Sequence, residues 1–173
     1  MRQFSILAVI AAATVSACGP NEAAKDAAPA PPPPTDAEKA AILATLPAPY
    51  NTGDLINGQR KFALCRSCHT ITPNGPNLTG PNLYGVFGRK AGGLEGYTYS
   101  EALKKAGFVW EGSHLDAWLA DPRGYMPGTK MTFLGIKDAK DRQDLIAYLK
   151  VETGFKPATQ PAAAAAPAPA PAQ

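Results

Sequence analysis

Apolar residues recur at helical spacing through the middle of the chain, and this pattern predicts helices rather than strands. The first stripe has the spacing i, i+3, i+7, i+10 and consists of Leu55, Gly58, Phe62 and Cys65. Its glycine would let another helix approach closely. A later segment opens at Asp138 and ends at Gly154, and its apolar face consists of Leu145, Tyr148 and Leu149. Each stripe predicts a helix with one buried face.

Two shorter helices are predicted between these segments. Ser113 and Asp116 form a capping-box pattern ahead of the apolar residues Leu115, Trp118 and Leu119. Ser100 begins another helix, which ends at Gly107. The two longest loops, rich in glycine and proline, cover residues 72–96 and 122–135. We therefore predict an all-α domain of about four helices, whose long loops surround something other than protein.

The ends of the chain differ in composition from this middle region. Ala and Pro dominate both ends, and the 173 residues include 18 prolines. We place one small domain at residues 50–156 and expect the Ala/Pro-rich tail at 157–173 to be disordered. A domain of this size often depends on a metal, a disulfide or a cofactor. The net charge of +3, without a long Lys/Arg stripe, predicts no nucleic-acid partner.

Residues 1–17 have the pattern of an export signal. Arg2 supplies a positive start, and the apolar stretch that follows is shorter than the about 20 residues that span a bilayer. Its end, VSAC at residues 15–18, resembles the lipobox of bacterial lipoproteins. That resemblance implies a lipid on Cys18, which would anchor the chain on the periplasmic side of a bacterial membrane. The alternative is an ordinary signal cleaved after Ala17, with Cys18 incidental.

Residues 18–49 are predicted to form a tether. The segment APAPPPP at 28–34 should adopt extended polyproline II, with a rise of about 3.1 Å per residue. A short helix is expected around residues 36–46 with Thr35 as its cap, and the alternative there is disorder. In either case we expect these residues to set distance rather than to carry chemistry.

The motif that carries chemistry is C-x-x-C-H, formed by Cys65, Cys68 and His69. Two thiols at this spacing can each reach one vinyl group of a haem, and the adjoining histidine then lies beneath the iron as its proximal ligand. A thioredoxin-like site would need a βαβ pattern, and a zinc site would need a second pair of ligands. A structural disulfide would be strained at this spacing and would leave His69 unexplained. The motif therefore predicts one covalently bound haem c.

The second axial ligand of the iron has three candidates. Met131 ends a loop in which Pro127 and Gly128 favour an extended conformation that can hold a sulfur against a flat cofactor. Met126 is an alternative, although methionine is more often a core residue. His114 is another, although it follows a predicted N-cap and should be solvated.

From residue 53 to residue 154 the chain resembles the class I cytochromes c, in particular mitochondrial cytochrome c and its alphaproteobacterial, membrane-anchored relatives. The matching strings are CRSCHT at 65–70, GPNL at 80–83, GVFGRK at 85–90, YTYS at 97–100, YMPGTKM at 125–131 and DLIAYL at 144–149. Several ordered strings over about one hundred residues are far more specific than C-x-x-C-H alone. The resemblance implies a cytochrome c fold around a single haem.

It also implies a role for each matching residue. Met131 would be the sixth ligand, and the Pro81 carbonyl would accept a hydrogen bond from His69. The haem propionates would be held by Arg89, Tyr99 and Trp110. Thr129 would steady the methionine loop, and the first helix would pack across the last through Gly58, Phe62, Leu145 and Tyr148. Two positions depart from the mitochondrial pattern: Trp118 stands where a tyrosine is common, and Leu103 where an asparagine is common.

An iron with both axial positions filled has no open site, so we expect a one-electron carrier and not an enzyme. The family resemblance implies a monomer that passes electrons between a cytochrome bc-type complex and a terminal oxidase. Its partners would meet basic residues near the haem edge, namely Arg66, Lys90, Lys104, Lys105, Lys130 and Lys137. The alternatives are a haem-based peroxidase or gas sensor, and a dedicated subunit of one oxidoreductase complex.

Overall fold

Residues 32–156 are described by a computed structural model, in which helices and loops account for the chain. The helices are α1 (Asp36–Thr45), a 3-10 turn (Tyr50–Thr52), α2 (Leu55–Phe62), α3 (Glu101–Lys105), α4 (Gly112–Ala120), α5 (Pro122–Tyr125) and α6 (Ala139–Glu152). Within these residues the β pairing is limited to one isolated bridge between Lys90 and Val109. The predicted all-α class is therefore confirmed. None of the helices in the described range is long and apolar enough to cross a bilayer.

The centre of the fold is the crossing of α2 and α6. Asp54 caps α2 by accepting hydrogen bonds from the amides of Ile56 and Asn57. Gly58 lies at the crossing, where a Cβ atom would come within 2.3 Å of the Asp144 carbonyl oxygen. Phe62 packs on Tyr148 with a ring-centroid distance of 5.9 Å. The close approach that the glycine predicts is present, and it brings the residues after α2 beside α6.

A buried carboxylate, absent from the sequence-based predictions, closes the same crossing. Asp144 is only 2% exposed. It accepts hydrogen bonds from the Asp54 amide at 2.8 Å and from Asn57 Nδ2 at 2.9 Å, and it pairs with Lys140. Because α2 and α6 are joined by both apolar and charge-assisted polar contacts, their relative position is fixed.

The short helices differ in part from their predictions. Ser100 caps α3 as expected, by accepting a hydrogen bond from the Leu103 amide. The predicted capping box at Ser113 is wrong, because α4 begins earlier, after Glu111, which makes no side-chain cap hydrogen bond. The Asp116 carboxylate instead binds Arg142 Nε at 2.8 Å, since the packing of α4 on α6 brings them together.

The packed unit extends further toward the N-terminus than residue 50. The helix expected at residues 36–46 is present as α1, and its cap Thr35 forms a complete capping box with Glu38. Leu46, which follows α1, is 4% exposed and packs against α6. The export signal, Cys18 and the Ala/Pro-rich tail lie outside the described residues.

Candidate haem site

A cavity of about 640 Å³ lies among α2, α4, α6 and the two long loops. Most of its lining is apolar, including Leu145 and Leu149 of α6. The nine residues predicted to bind the cofactor all line it: Cys65, Cys68, His69, Pro81, Arg89, Tyr99, Trp110, Thr129 and Met131. Side chains spread over 67 positions of the chain thus meet at one cavity with the size and polarity of a cofactor site.

Both cysteines of the motif follow α2 directly, and they form no disulfide with each other. The Cys65 amide donates to the Phe62 carbonyl at 2.8 Å and the His69 amide to the Cys65 carbonyl at 3.0 Å, so the motif forms a tight helical turn. Burial, with Cys68 adding to it, raises the pKa of the Cys65 thiol to about 11. No group of three residues suited to a bare metal ion occurs in the described range, so zinc gains no support.

His69 is held in one tautomer by the loop that carries Pro81. Its Nδ1 lies 2.7 Å from the Pro81 carbonyl oxygen, which can only accept, so Nδ1 bears the hydrogen and Nε2 keeps its lone pair. Gly80 packs on the ring so closely that a Cβ there would lie 2.3 Å from His69 Cε1. Burial lowers the pKa of His69, against the opposing effect of the Pro81 hydrogen bond. A neutral, oriented imidazole is the form that ligates iron.

Among the three candidates for the second axial ligand, Met131 alone lines the cavity. Its amide donates to Thr129 Oγ1 at 3.2 Å, and Gly128 turns the preceding chain with a φ of 86°. Met126 is partly buried against the apolar core and does not line the cavity. The geometry therefore brings one sulfur and one imidazole to the same cavity.

His114 is not the solvated residue that its position in the sequence predicted. It is half-buried and stacks on Phe108 with a centroid distance of 4.5 Å and an interplanar angle of 13°. Its Nδ1 is buried without a hydrogen-bond partner among the described residues.

One wall of the cavity carries a fixed positive charge. Arg89 donates to the Asn82 carbonyl at 2.9 Å and to the Tyr84 carbonyl, and no carboxylate pairs with it within residues 32–156. Tyr99 and Trp110 are buried beside the same cavity. Burial raises the pKa of Tyr99, while the Arg89 charge opposes that shift. An uncompensated guanidinium with a phenol and an indole at a cavity wall suits an anionic group of a ligand.

The two departures from the mitochondrial pattern both lie at the cavity. Trp118 and Leu103 are 6% and 9% exposed, and both contribute to its lining. Trp118 packs edge-on against Trp110 at 5.5 Å. They make this part of the site less polar than the resemblance predicts.

Three residues of the site were missed by sequence reasoning. Asn82 is buried, and its Nδ2 donates to Thr70 Oγ1 and to two loop carbonyls, which shapes the loop that carries Pro81. Leu64 and Leu134 line the cavity although they are 60% and 80% exposed, so they mark its mouth. Their adjacency to the cysteine motif and to the methionine loop was the available signal.

The comparisons with known proteins agree with this geometry. Residues 55–151 match the family described as Cytochrome c. Cytochrome c of Gibberella zeae is 49% identical over 102 residues, which cover 58% of this chain and 96% of that protein. Cytochrome c2 of Blastochloris viridis is 42% identical over 109 residues, covering 63% of this chain and 86% of that protein.

A solved structure is similar as well. Cytochrome cH from Methylobacterium extorquens is 52% identical, with a TM-score of 0.52 over 57% of this chain and 98% of that one. The family match covers more than half of the chain, and the chain therefore belongs to the cytochrome c family. It is a haem-based electron carrier with one covalent haem c. The cavity, its two thiols and its neutral histidine fit that cofactor.

Proposed function

We propose that this cytochrome is a membrane-tethered one-electron carrier, which passes electrons between a cytochrome bc-type complex and a terminal oxidase. The observation that carries the proposal is the meeting of two thiols, an imidazole and a thioether at one apolar cavity. When bound there, haem c supplies a reversible one-electron couple whose potential a methionine partner raises.

Each residue of the site has a distinct task. Cys65 and Cys68 would hold the cofactor through thioether bonds, which would keep it in place through repeated oxidation and reduction. His69 offers Nε2 to the iron, and the hydrogen bond to Pro81 keeps the other ring nitrogen protonated. Met131 would supply its sulfur as the second protein ligand of the iron, which would leave no position for a substrate. These tasks suit electron transfer rather than catalysis on a bound molecule.

The charged wall holds the anionic edge of the cofactor. Arg89, Tyr99 and Trp110 line the cavity and would offer a guanidinium, a hydroxyl and an indole N–H to the propionates. Thr129 keeps the methionine loop in place through the Met131 amide. Because the Arg89 guanidinium is already fixed by two carbonyls, little reorganisation accompanies a change in charge on the iron.

A partner would dock at the cavity mouth. The six basic residues predicted to face partners are all exposed: Arg66, Lys90, Lys104, Lys105, Lys130 and Lys137. They would steer an acidic partner, and the exposed Leu64 and Leu134 would give the docked pair a dry centre. A lipid on Cys18 would keep the domain at the periplasmic surface of the membrane and raise its concentration near both partners.

Mass spectrometry and optical spectroscopy of the matured protein test this proposal. We expect the mass of one covalent haem and of a lipid on Cys18, and a weak far-red band of the oxidised form from iron–methionine ligation. Replacing Cys18 with alanine should release the protein from the membrane fraction and leave the spectrum unchanged. A protein without covalent haem contradicts the haem site. Ready binding of carbon monoxide by the reduced form favours a gas sensor or peroxidase.

A further inference from the structure

The N-terminal helix α1 has no place in the haem site, and it precedes the residues that match the cytochrome c family, 55–151. Its start is nevertheless defined by side-chain hydrogen bonds. Thr35 and Glu38 cap it reciprocally, with the Thr35 amide donating to Glu38 at 2.7 Å. A short helix in water needs tertiary contacts to persist. Its contacts therefore indicate what it does.

α1 docks on α6 through an apolar cluster of its own. The cluster consists of Leu46, Ala147 and Val151, which are 4%, 0% and 3% exposed, with Ile42 and Leu43 packed beside them. At its edge, Lys39 Nζ lies 2.6 Å from Glu152 Oε1. The side chains of this pair are 27% and 13% exposed, so the contact is partly shielded from water.

The docking site lies on the side of α6 that faces away from the haem cavity. Leu145 and Leu149 line the cavity. Since an α-helix turns by about 100° per residue, Ala147 projects about 160–200° away from both leucines. Val151 projects about 200° away from Leu149. The same helix thus holds the haem on one side and α1 on the other.

The direction of α1 is fixed as well. Lys39, near its start, meets Glu152 at the C-terminal end of α6, whereas Leu46, after its end, meets Ala147 and Val151. The two helices are therefore antiparallel. The chain that precedes Asp36 must reach the domain beside the C-terminal end of α6.

The segment between α1 and α2 is pinned to α6 too. Gln143 Nε2 donates to the Pro49 carbonyl at 2.7 Å and to Thr52 Oγ1 at 3.2 Å. Gly53 packs so closely on α6 that a Cβ there would lie 2.4 Å from Ala147 Cβ. Contacts therefore continue from α1 into the body of the domain, and α1 cannot swing as a loose appendage.

From this geometry we infer that α1 is an orienting clamp, which fastens the membrane tether to the back of α6 so that the cavity mouth stays free for redox partners. This inference rests on the proposed membrane attachment. Without α1 the tether would begin at Pro49, which Gln143 holds near the N-terminal end of α6. The clamp moves the point of attachment along the back of α6 to its C-terminal end, where Lys39 meets Glu152, and restricts how the domain turns on its tether.

The test uses the full-length holoprotein in vesicles of phosphatidylethanolamine and phosphatidylglycerol. A nitroxide label at Pro33→Cys, just before α1, reports its distance to the haem iron by pulsed electron paramagnetic resonance. We expect one narrow distribution, which Lys39→Glu or Leu46→Asp broadens. The double variant K39E/E152K, which restores an opposite pair, should narrow it again. Lys156→Glu makes the same change in net charge at an exposed residue and should have no effect.

Function is measured in native membranes as electron flow from quinol to the terminal oxidase. We expect K39E and L46D to lower this flow at least about threefold, because a freely turning domain presents its mouth less often. Reduction by ascorbate and the haem spectrum should not change, and K39E/E152K should recover the flow. A role in stability alone would leave the flow intact in variants that remain folded at the temperature of the assay.

Two results would overturn the clamp. One is unchanged flow in variants whose distances have broadened, and the other is a distance that stays narrow in both K39E and L46D. Different results would contradict the proposed function. If the unaltered protein carries no electrons between quinol and oxidase, or has no lipid on Cys18, the partners or the anchor are wrong, while the distance measurement still decides whether α1 is fastened.

Discussion

The two sides of α6 serve different partners. Leu145 and Leu149 face a cavity of about 640 Å³ that belongs to a cofactor. Ala147 and Val151 face α1, where side chains alone complete the packing. All eight residues from Asp144 to Val151 are buried as a result. A helix buried all round loses the single apolar stripe from which amphipathic helices are recognised.

The difference shows which contacts the chemistry dictates. On the cavity side a ligand type or a volume is required, whereas α1, which covers the back, precedes the residues of the family match. On the back, any well-packed apolar segment would cover Ala147 and Val151. Substitutions on the two sides should therefore separate changes in the haem spectrum and potential from changes in stability and in the attachment of α1.

The largest expected effect comes from Met131→Ala on the cavity side. Losing the thioether should abolish the far-red band, lower the midpoint potential by on the order of 0.1 V or more, and open the iron to carbon monoxide. Redox titration and optical spectra measure these changes. Met126→Ala is the matched control, because Met126 is also partly buried against the core but does not line the cavity. Equal spectral changes in both variants would contradict the assignment of the ligand.

Asp144→Ala tests the buried carboxylate that joins α2 to α6. Removing the carboxylate leaves the Asp54 amide and Asn57 Nδ2 without their acceptor, and we expect a loss of about 3 kcal/mol in the free energy of unfolding. Glu95→Ala, at an exposed loop residue, should cost less than about 0.5 kcal/mol. Urea denaturation measures both. Equal losses would show that the buried carboxylate contributes nothing specific.

The same carboxylate predicts acid sensitivity. Burial opposes ionisation, but hydrogen bonds from Lys140, Asn57 and the Asp54 amide keep the pKa of Asp144 below its usual value. The native state therefore binds this proton less readily than the unfolded state. Its contribution to stability is complete above the unfolded pKa and is lost as the pH falls through the lower native value. Asp144→Asn should weaken this dependence below about pH 4.

Leu46→Ala tests the back of α6 alone. Truncating this buried side chain should cost about 2–3 kcal/mol through lost apolar contact and a residual cavity. The haem spectrum and midpoint potential should stay unchanged, because Leu46 does not line the haem cavity. Ile56→Ala, at an exposed position on α2, is the control. A shift in potential caused by Leu46→Ala would mean that the two sides are coupled.

The smallest expected effect concerns a buried lysine on the back. Lys150 is 4% exposed, and its Nζ lies 4.2 Å and 3.6 Å from the ring centroids of Phe87 and Phe155. Burial lowers its pKa to about 8, against the opposing charge of Glu111.

Between the native pKa of about 8 and the ordinary pKa of 10.5, Lys150 is protonated to a greater extent in the unfolded chain than in the native state. The free energy of unfolding should therefore rise with pH over this range. We expect a rise of about 1–3 kcal/mol, reduced by the attraction of the rings for the ammonium group. Lys150→Met should remove this rise, and urea denaturation from pH 7 to 10.5 measures it. An identical pH dependence in the variant would exclude Lys150 as its origin.

The haem site was predictable because the residues that carry its chemistry form short motifs in the sequence. Cys65, Cys68 and His69 must lie at a fixed spacing on one turn to bind a haem. The proline and the glycine of the methionine loop favour the extended backbone that can hold a sulfur against the cofactor. Helix caps such as Ser100 and Thr35 bind backbone amides only three residues away, so the sequence alone predicted where α1 and α3 begin.

Tertiary structure decided what depends on distant partners. Asp144 became a buried joint because α2, almost ninety positions earlier, supplies its donors. His114 is half-buried because it stacks on Phe108. The position of α1 depends on a second apolar side of α6, which carries Ala147 and Val151. Residue types and spacing determined the cofactor, because covalent attachment and iron ligation tolerate few alternatives. The attachment of the N-terminal segment depends on shape and burial, which exist only once the chain has folded.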